Sequence, residues 1–326
     1  MSYIQMTKAT VDNYINKCHI IACGIRNSRL KAKRVAIMEL YTALLPMEVI
    51  YLPNGPLSDV KGFICFMVNK EHIKELENIL HKIGYCNVFY LITFEEAGNN
   101  KTWKGRQFNI KEFVIQDSDL YSAQSPHNRL FAIGEKNVKG YRGDGSLFGR
   151  RALPVEDCRC LVNLAIPNNA SHILDPFAGA GGIAYSCRFI NPDIQVTTID
   201  IDPILSSGLR MYGASHYVGN TANIKLHEKF DAIVTEVPFA VESDSSVLAG
   251  LRNTCEYLKS AGRISIMCSL RQYEIILKFI NEIGLHVYCS HIVNRKGTDT
   301  AIIAATRDEW FANKISPLVE RLETIY

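Results

Sequence analysis

A short glycine-rich stretch constrains the fold of this chain more than any other feature. Residues 173–184 read ILDPFAGAGGIA, which is an apolar strand ending in Asp175, a turn and the start of a helix; the turn contains Gly179, Gly181 and Gly182. Glycine lets the backbone adopt conformations that other residues avoid and approach a ligand closely. The spacing differs from dinucleotide-binding and phosphate-binding loops. Because ligands of open α/β sheets bind outside the carboxyl ends of strands, we expect a ligand site at this turn.

Strands and helices alternate from Leu153 onward. HILDPF, IQVTTIDID, FDAIVTEV and RISIMCS read as buried strands separated by helices, of which one is predicted over residues 245–262. LHVYCSHIV and TDTAIIAATR read as a closing antiparallel pair. This order predicts an α/β fold: a doubly wound, Rossmann-like parallel sheet with an antiparallel C-terminal hairpin.

The first part of the chain has a different pattern, which predicts a smaller α+β domain over residues 1–118. Residues 1–45 read as helical, most clearly in LKAKRVAIMELYTALL. MEVIYL, VKGFICFMV and NVFYLITF read as strands, with the amphipathic helix NKEHIKELENILHKIG between the last two. Residues 96–150 are less regular. We place the boundary near residues 118–128, so that a second domain covers 119–326.

The strand that follows the glycine turn ends in TTIDID and supplies a second acid. Asp200 is the first choice and Asp202 the second, because a carboxylate at this place can accept both hydroxyls of a ribose. Asp175 lies where it can receive the ammonium group of an amino-acid tail. Together these groups describe a nucleoside that bears an amino acid, and S-adenosylmethionine fits. The alternative is a tight turn in an unrelated α/β fold, with both acids capping the next helix.

At these residues the sequence resembles the class I S-adenosylmethionine-dependent methyltransferases, and within them the RNA methylase family that contains the tRNA guanine-N2 methyltransferases. DPFAGAGG is similar to the family's D-P-F/M-x-G-x-G loop, and GRRALPVEDCRCLVNLA resembles the helix that precedes it. The resemblance covers residues 125–306. It implies cofactor contacts at Asp175, Phe177, Ala178, Gly179, Gly181, Gly182, Asp200, Ile201 and Asn220.

Two features of the family concern other parts of the chain. Members usually carry an N-terminal RNA-binding module, often a THUMP domain with a ferredoxin-like segment, and residues 1–118 are expected to hold a divergent version. Members also tend to have an Asp after the third strand that contacts the adenine amino group. Here YVGNTANI offers Asn220, whose amide oxygen can accept the same hydrogen bond.

The stretch FDAIVTEVPFA is similar to the family's catalytic loop, Asp/Asn-Pro-Pro-Tyr/Phe, with two departures. Glu236 is one methylene longer than Asp, and Val237 replaces the first Pro, whereas Pro238 and Phe239 match. A side-chain oxygen and a backbone carbonyl are expected to accept the two hydrogens of a base amine. Pro238 stiffens the turn, and Phe239 stacks on a flipped base. A pyrimidine C5 reaction would need a cysteine in this loop, and none is present.

Basic residues beside aromatic ones suit contact with RNA, through phosphate pairing and base stacking. Any one run alone is more typical of a solvated face. Arg295 and Lys296 are expected in a solvent-facing turn, and His127 in a structural role. The runs contain Arg26, Arg29, Lys31, Lys33 and Arg34; Lys101, Lys104 and Arg106 around Trp103; and Lys139, Arg142, Arg150 and Arg151 with Tyr141 and Phe148.

The composition is that of a globular protein with a modest basic balance. Hydrophobic residues make up 47% of the 326 residues, and the formal net charge is +3. The N-terminus lacks an apolar core of signal length, and no apolar run is long enough to span a bilayer. We therefore expect a cytoplasmic protein with no membrane association. Its 10 cysteines are expected to be mostly reduced, and Cys158 and Cys160 to be buried, inert thiols that form no metal site.

These observations predict methyl transfer from S-adenosylmethionine to an exocyclic base amine of RNA, with guanine N2 in tRNA as the first candidate. Three alternatives stay open: an rRNA base methyltransferase, a non-catalytic RNA-binding or partner subunit that keeps the cofactor fold, and a protein or small-molecule methyltransferase. A small partner subunit is a further open expectation, and the oligomeric state is not indicated.

Overall fold

The computed structural model of the chain describes residues 2–3, 13–45, 47, 49–57, 59–94, 101–115, 132–133, 136–137, 153–165, 172–211, 213–295 and 297–315. These residues divide into an N-terminal unit within residues 1–116 and a C-terminal unit within residues 117–316. The domain boundary at residue 118 and the RNA-binding role of the first domain stay predictions.

The N-terminal unit is built on a six-stranded sheet. Its strands are β1 Ser2–Tyr3, β2 Cys18–Ile25, β3 Ile50–Tyr51, β4 Phe63–Asn69, β5 Cys86–Thr93 and β8 Asn109–Ile115, with a separate hairpin of β6 Thr102–Trp103 and β7 Arg106–Gln107. The order is β1-β3-β4-β2-β5-β8. Its helices are α1 Lys33–Ala43 and α2 Ile73–Leu80, which follow 3₁₀ turns at Asn27–Ala32 and Lys70–His72.

The expectation of helix throughout residues 1–45 is wrong at Cys18–Ile25. This segment is the strand β2, which pairs antiparallel with both β4 and β5. Residues 20–25 are all buried. An apolar run that is buried on both faces does not alternate, so its pattern does not separate a strand from a buried helix. The helix predicted over residues 30–45 is present as α1.

The C-terminal unit contains a seven-stranded sheet flanked by helices. Its strands are β11 His172–Asp175, β12 Gln195–Asp200, β13 Ser215–Val218, β14 Phe230–Glu236, β15 Leu258–Ser269, β16 His286–Arg295 and β17 Thr298–Thr306; β9 Ala132–Ile133 and β10 Lys136–Asn137 form a separate pair. The helices are α3 Val155–Ala165, α4 Gly182–Ile190, α5 Ser206–Met211, α6 Asp244–Cys255 and α7 Leu270–Glu282, with 3₁₀ turns at Pro203–Leu205 and Val241–Ser243. None of the helices in the described ranges is both long and apolar enough to cross a membrane.

The strand order of this sheet confirms the predicted fold class. The order is β13-β12-β11-β14-β15-β17-β16, and the pairings from β13 through β15 are parallel. Strand β17 runs antiparallel to both of its neighbours. Because parallel strands end at the same edge, Asp175, Asp200 and Glu236 come to one side of the sheet.

The helix predicted over residues 245–262 is too long. Helix α6 ends at Cys255, and β15 begins at Leu258, which pairs with Phe230 of β14. A register shift follows, so that Ala232 is the next residue of β14 to pair, with Arg263. The apolar spacing of this segment fits a helix, but pairing with a buried parallel strand overrides that local preference.

The carboxylate of Glu39 should be important to the stability of the N-terminal unit. It is fully buried in α1, and its two oxygens accept hydrogen bonds from the backbone N–H groups of Gly84 at 2.6 Å and Tyr85 at 2.8 Å. Replacing Glu39 with Gln places an NH₂ group against one of these donors. We expect Glu39→Gln to lower the free energy of unfolding by roughly 1–3 kcal/mol, measured by urea denaturation.

The fluorescence of Trp103 reports on this unit, since Trp103 is buried there. Glu75→Gln is the matched control, because the Glu75 side chain is 56% exposed. Equal unfolding midpoints for the two variants would contradict the prediction.

Candidate active site

The glycine turn has the strained geometry that its sequence predicts. Gly179 and Gly181 have positive φ angles of 49° and 84°. Helix α4 begins at Gly182, immediately after the turn. A Cβ atom on Gly181 would lie 2.8 Å from Cδ2 of Leu209, closer than side-chain carbons pack. The backbone conformation therefore favours glycine at Gly181, and a larger residue would also displace the Leu209 side chain.

Hydrogen bonds fix the glycine turn against the end of β12. The backbone N–H of Ala178 donates to the carbonyl of Ile199 at 2.9 Å, and the N–H of Gly179 donates to Oδ2 of Asp200 at 2.8 Å. The other carboxylate oxygen of Asp200 accepts the N–H of Asp202 at 2.9 Å. A carboxylate has about four acceptor positions, so one such group can accept several N–H and hydroxyl donors at once.

Asp175 is a buried acid at the end of β11, with 1% of its surface exposed. Its Oδ1 accepts hydrogen bonds from Oγ1 of Thr235 at 2.8 Å and from the N–H of Phe177 at 3.3 Å. Burial raises the pKa of Asp175 to about 7, and the nearby carboxylates of Asp200 and Glu236 act in the same direction. A bound cation would favour the charged form and lower this pKa.

Four further residues that the sequence predicts as cofactor contacts differ in their exposure and packing. Ile201 follows Asp200 and is 71% exposed, and Ala178 is 6% exposed in the turn. Phe177 packs closely against α6, since a Cβ on Gly250 would lie 2.9 Å from its ring. Asn220 is exposed just after β13, and its Oδ1 accepts the N–H of Ala222 at 2.9 Å, which leaves one lone pair.

The loop after β14 is held by hydrogen bonds to its backbone. The N–H of Val237 donates to the carbonyl of Met267 at 3.0 Å, and the side chain of Val237 is 1% exposed. The carbonyl of Pro238 accepts Nε2 of Gln272 at 2.7 Å, and the carbonyl of Phe239 accepts a guanidinium nitrogen of Arg271 at 3.0 Å. Within the described residues, the Val237 carbonyl accepts no hydrogen bond.

Glu236 forms an ion pair that the sequence did not predict. Its Oε1 accepts a hydrogen bond from Arg295 at the end of β16. Nε of Arg295 also lies 3.6 Å from Oδ2 of Asp157, an acid of α3 with no exposed surface. Burial raises the pKa of Glu236, and the charge of Arg295 acts against that rise. Arg295 is thus 18% exposed and paired, so the expectation of a solvent-facing turn is wrong for it.

The expected RNA-contacting runs are partly structural. Arg29 is 4% exposed and lies over the ring of Tyr85, and Nε of Arg26 donates to the carbonyl of Gly84. Trp103 is 7% exposed and donates to a backbone carbonyl, so it offers no face to a base. Side chains of the first two runs that stay exposed are Lys31, Lys101 and Lys104. Outside the described residues lie His127, Lys139, Tyr141, Arg142, Phe148, Arg150, Arg151 and Lys296.

Comparisons with known proteins agree with the motif. The chain is similar to the tRNA (guanine(10)-N2)-dimethyltransferase of Methanothermobacter thermautotrophicus, at 32% identity over 110 residues. The match covers 32% of each protein, so the chain spans about a third of the length of this relative. It confirms the resemblance to the class I methyltransferases. No protein-family model matches the chain.

Two solved structures are similar at low identity. TrmN from Thermus thermophilus is 13% identical, over 88% of this chain and 99% of that chain, with a TM-score of 0.49. The N-methyltransferase NodS from Bradyrhizobium japonicum, in complex with S-adenosyl-L-homocysteine, is 16% identical over 56% of this chain and 97% of that one, with a TM-score of 0.41. Neither likeness bears on the substrate.

Burial of Asp175 predicts a pH-dependent cost to stability. Its pKa is about 7 in the folded chain against 3.8 as the ordinary value, so the folded state holds the proton more tightly. The contribution of Asp175 to the free energy of unfolding is therefore fully present below pH 4, and it is lost as the pH rises to about 7. We expect Asp175→Asn to raise the melting temperature at pH 8.5 and to change it much less at pH 4.5.

The exposed Asp193 supplies the matched control, Asp193→Asn, which should leave the melting temperature unchanged at both pH values. A pH dependence of Asp175→Asn equal to that of the wild type would show that Asp175 does not carry the cost.

Proposed function

We propose that this chain transfers a methyl group from S-adenosylmethionine to an exocyclic amine of an RNA base, with guanine N2 in tRNA as the first candidate. One observation carries the proposal. Thr235, which precedes Glu236, donates to Asp175 at the end of the neighbouring strand. The hydrogen bond joins the glycine turn and the loop Glu236–Phe239 at one edge of the sheet, so a cofactor and an amine can meet there.

The comparisons support S-adenosylmethionine as the cofactor, and the residues at the turn fit it. Asp175 would receive the ammonium group, and Asp200 the ribose hydroxyls. Ile201 would cover the adenine ring, with Phe177 and Ala178 beside it. The amide oxygen of Asn220 would accept a hydrogen bond from the adenine amino group. The lack of side chains at Gly179, Gly181 and Gly182 would let the ligand approach the backbone closely. When bound, S-adenosylmethionine supplies an electrophilic methyl group on a sulfonium ion. The buried acids complement that positive charge.

The loop after β14 would orient the substrate amine. A base amine is a weak nucleophile because its lone pair is delocalised into the ring, so positioning supplies most of the rate. Glu236 would accept one amine hydrogen and the Val237 carbonyl the other. Phe239 is partly exposed and would stack on a base taken out of its stack, next to the exposed Pro238.

RNA as the partner is supported by the name of the curated relative and by the exposed lysines of the N-terminal unit. Lys31, Lys101 and Lys104 offer sites for phosphate pairing. A tRNA rather than an rRNA substrate, a small partner subunit and a cytoplasmic location are parts of the proposal that rest on the resemblance.

Binding of the cofactor should depend on Gly181. A methyl group there would strain a backbone with φ of 84° and meet Cδ2 of Leu209 at 2.8 Å, so either the turn or the Leu209 side chain must shift. We expect Gly181→Ala to weaken S-adenosylmethionine binding at least tenfold, roughly 1.4 kcal/mol, by isothermal titration calorimetry.

Gly284 gives a close control for the backbone strain. Its φ is 72°, and a Cβ atom there would meet nothing within 4 Å. Gly284→Ala should bind the cofactor as the wild type does, although it is strained in the same way. If Gly181→Ala also bound normally, the turn would not be the cofactor site.

Glu236 should act in the transfer step and not in cofactor binding. We expect Glu236→Ala to lower kcat/KM for RNA by roughly 10²–10³-fold, because the amine loses a positioned acceptor. The Kd for S-adenosylmethionine should change less than threefold. Glu236→Asp is expected to keep more activity than Glu236→Ala, since the shorter acid retains both oxygens.

The exposed Glu242, just beyond the loop, supplies the control variant Glu242→Ala, which should keep full activity. Unchanged methyl transfer by Glu236→Ala would remove Glu236 from the reaction.

The reaction itself is tested with labelled S-adenosylmethionine and total RNA from cells that lack the protein. Label recovered as N2-methylguanosine in tRNA would support the proposal in full, and label in rRNA would change the substrate. Cofactor binding without label in any RNA would favour a protein or small-molecule substrate. Absence of both would favour a non-catalytic subunit that keeps the fold.

A further inference from the structure

We infer that Arg295 is a positioning residue for the proposed methyl transfer: it holds one carboxylate oxygen of Glu236 so that the other oxygen faces the substrate amine. The inference rests on the proposed function, because it assigns the free oxygen to the amine. It concerns a residue that lies 59 positions from Glu236 in sequence and outside the loop motif.

The position of Arg295 is built by four elements. It stands at the end of β16, pairs with Oε1 of Glu236 at the end of β14, and lies 3.6 Å from the buried Asp157 of α3. Its NH1 is also 3.6 Å from Sδ of Met267 on β15. The side chain is 18% exposed, so its location is set by packing as well as by charge.

The length of Glu236 explains why such a partner matters. Glu has one more rotatable bond than the Asp or Asn of the family motif, and fixing a flexible side chain costs conformational entropy. A charge-assisted hydrogen bond from a planar guanidinium orients a carboxylate in advance. Because transfer depends on in-line geometry, a small displacement of the acceptor is costly. Arg295 thus offsets the extra methylene of Glu236.

Arg295 also favours the ionised form of Glu236. The groups facing Glu236 are Arg295 from β16, Asp157 and the buried thiol of Cys158 from α3, and Asp175 from β11. Burial and Asp157 raise the pKa of Glu236, whereas Arg295 lowers it. Without the guanidinium, the pKa of Glu236 would rise further, and a protonated carboxyl group accepts fewer hydrogen bonds.

A purely structural role for Arg295 makes a different prediction. An ion pair that only secures the β16–β17 hairpin would, when removed, reduce stability and lower activity by the same factor at every pH. A positioning role couples the loss to the protonation of Glu236. The pH profile and the titration of the Glu236 carboxyl carbon therefore separate the two roles.

The experiment compares the full-length wild type with Arg295→Met, Arg295→Lys and the exposed control Arg252→Met, whose side chain is 60% exposed. We expect the kcat of Arg295→Met to lie about 30–300-fold below that of the wild type at pH 6.5. At pH 9 this difference in kcat should be at least tenfold smaller. Its Kd for S-adenosylmethionine should stay within threefold. Arg295→Lys should lose less and follow the wild-type pH profile, as should Arg252→Met.

A carbon-13 NMR titration of glutamate carboxyl groups gives a readout independent of catalysis. The Glu236 signal is assigned by its loss in Glu236→Gln. Its midpoint should lie higher in Arg295→Met than in the wild type. If Arg295→Met does not fold, because two acids lose their cation, the double variant Asp157→Asn/Arg295→Met removes one of them and serves in its place.

An unshifted Glu236 midpoint, or an equal loss of activity at every pH, would overturn the inference. The Glu236 midpoint could be shifted in Arg295→Met while the wild type transfers no methyl group to RNA. That result would overturn the proposed function and, with it, the role assigned to the second oxygen of Glu236. In that case the pairing of Arg295 with Glu236 would stand as a property of the site alone.

Discussion

A buried hydrogen bond between two neighbouring strands organises the site. Thr235 Oγ1 donates to Asp175 at 2.8 Å, and both residues lie at the carboxyl ends of central parallel strands. The sheet order places β11 between β12 and β14, so the glycine turn has Asp200 on one side and the loop after β14 on the other. A shift of either strand would separate the acids from the loop. The chemistry is therefore a consequence of strand register, which core packing sets.

The same arrangement buries several carboxylates close together, which lowers the stability of the fold. Asp175 and Asp157 are fully or nearly fully buried, and Glu236 is 23% exposed. Buried carboxylates are costly unless they are paired. Arg295 pairs with two of these acids, and Asp175 has only a hydroxyl and an N–H as described partners. A cationic cofactor would complete the charge balance, so stability is given up for binding.

The sequence predicts those parts of the fold and of the site whose residues lie close together in the chain. The glycine turn, Asp175 and Asp200 are adjacent to strand ends, so composition and position indicate them within about 30 residues. Strand β2 has the pattern of a buried helix because its apolar run does not alternate, and β15 begins at Leu258, five residues before the strand that RISIMCS predicts. Arg295 lies in the β16–β17 hairpin and Glu236 at the end of a central parallel strand, and only the fold brings them together. Long-range pairs of this kind leave no local pattern.

The replacement of proline by Val237 has a structural counterpart that the sequence alone does not reveal. Proline would stiffen the loop but has no N–H to donate. Val237 donates its N–H to the carbonyl of Met267 at 3.0 Å, and its side chain is buried in the core cluster that also contains Leu174 and Ile266. This hydrogen bond and the packing of the side chain restrain the backbone at a position where the ring of a proline would otherwise restrain it. With Arg295 restraining Glu236, both departures from the family loop are matched by contacts with β15 and β16. The loop is therefore held rigid by tertiary contacts in place of local covalent constraint.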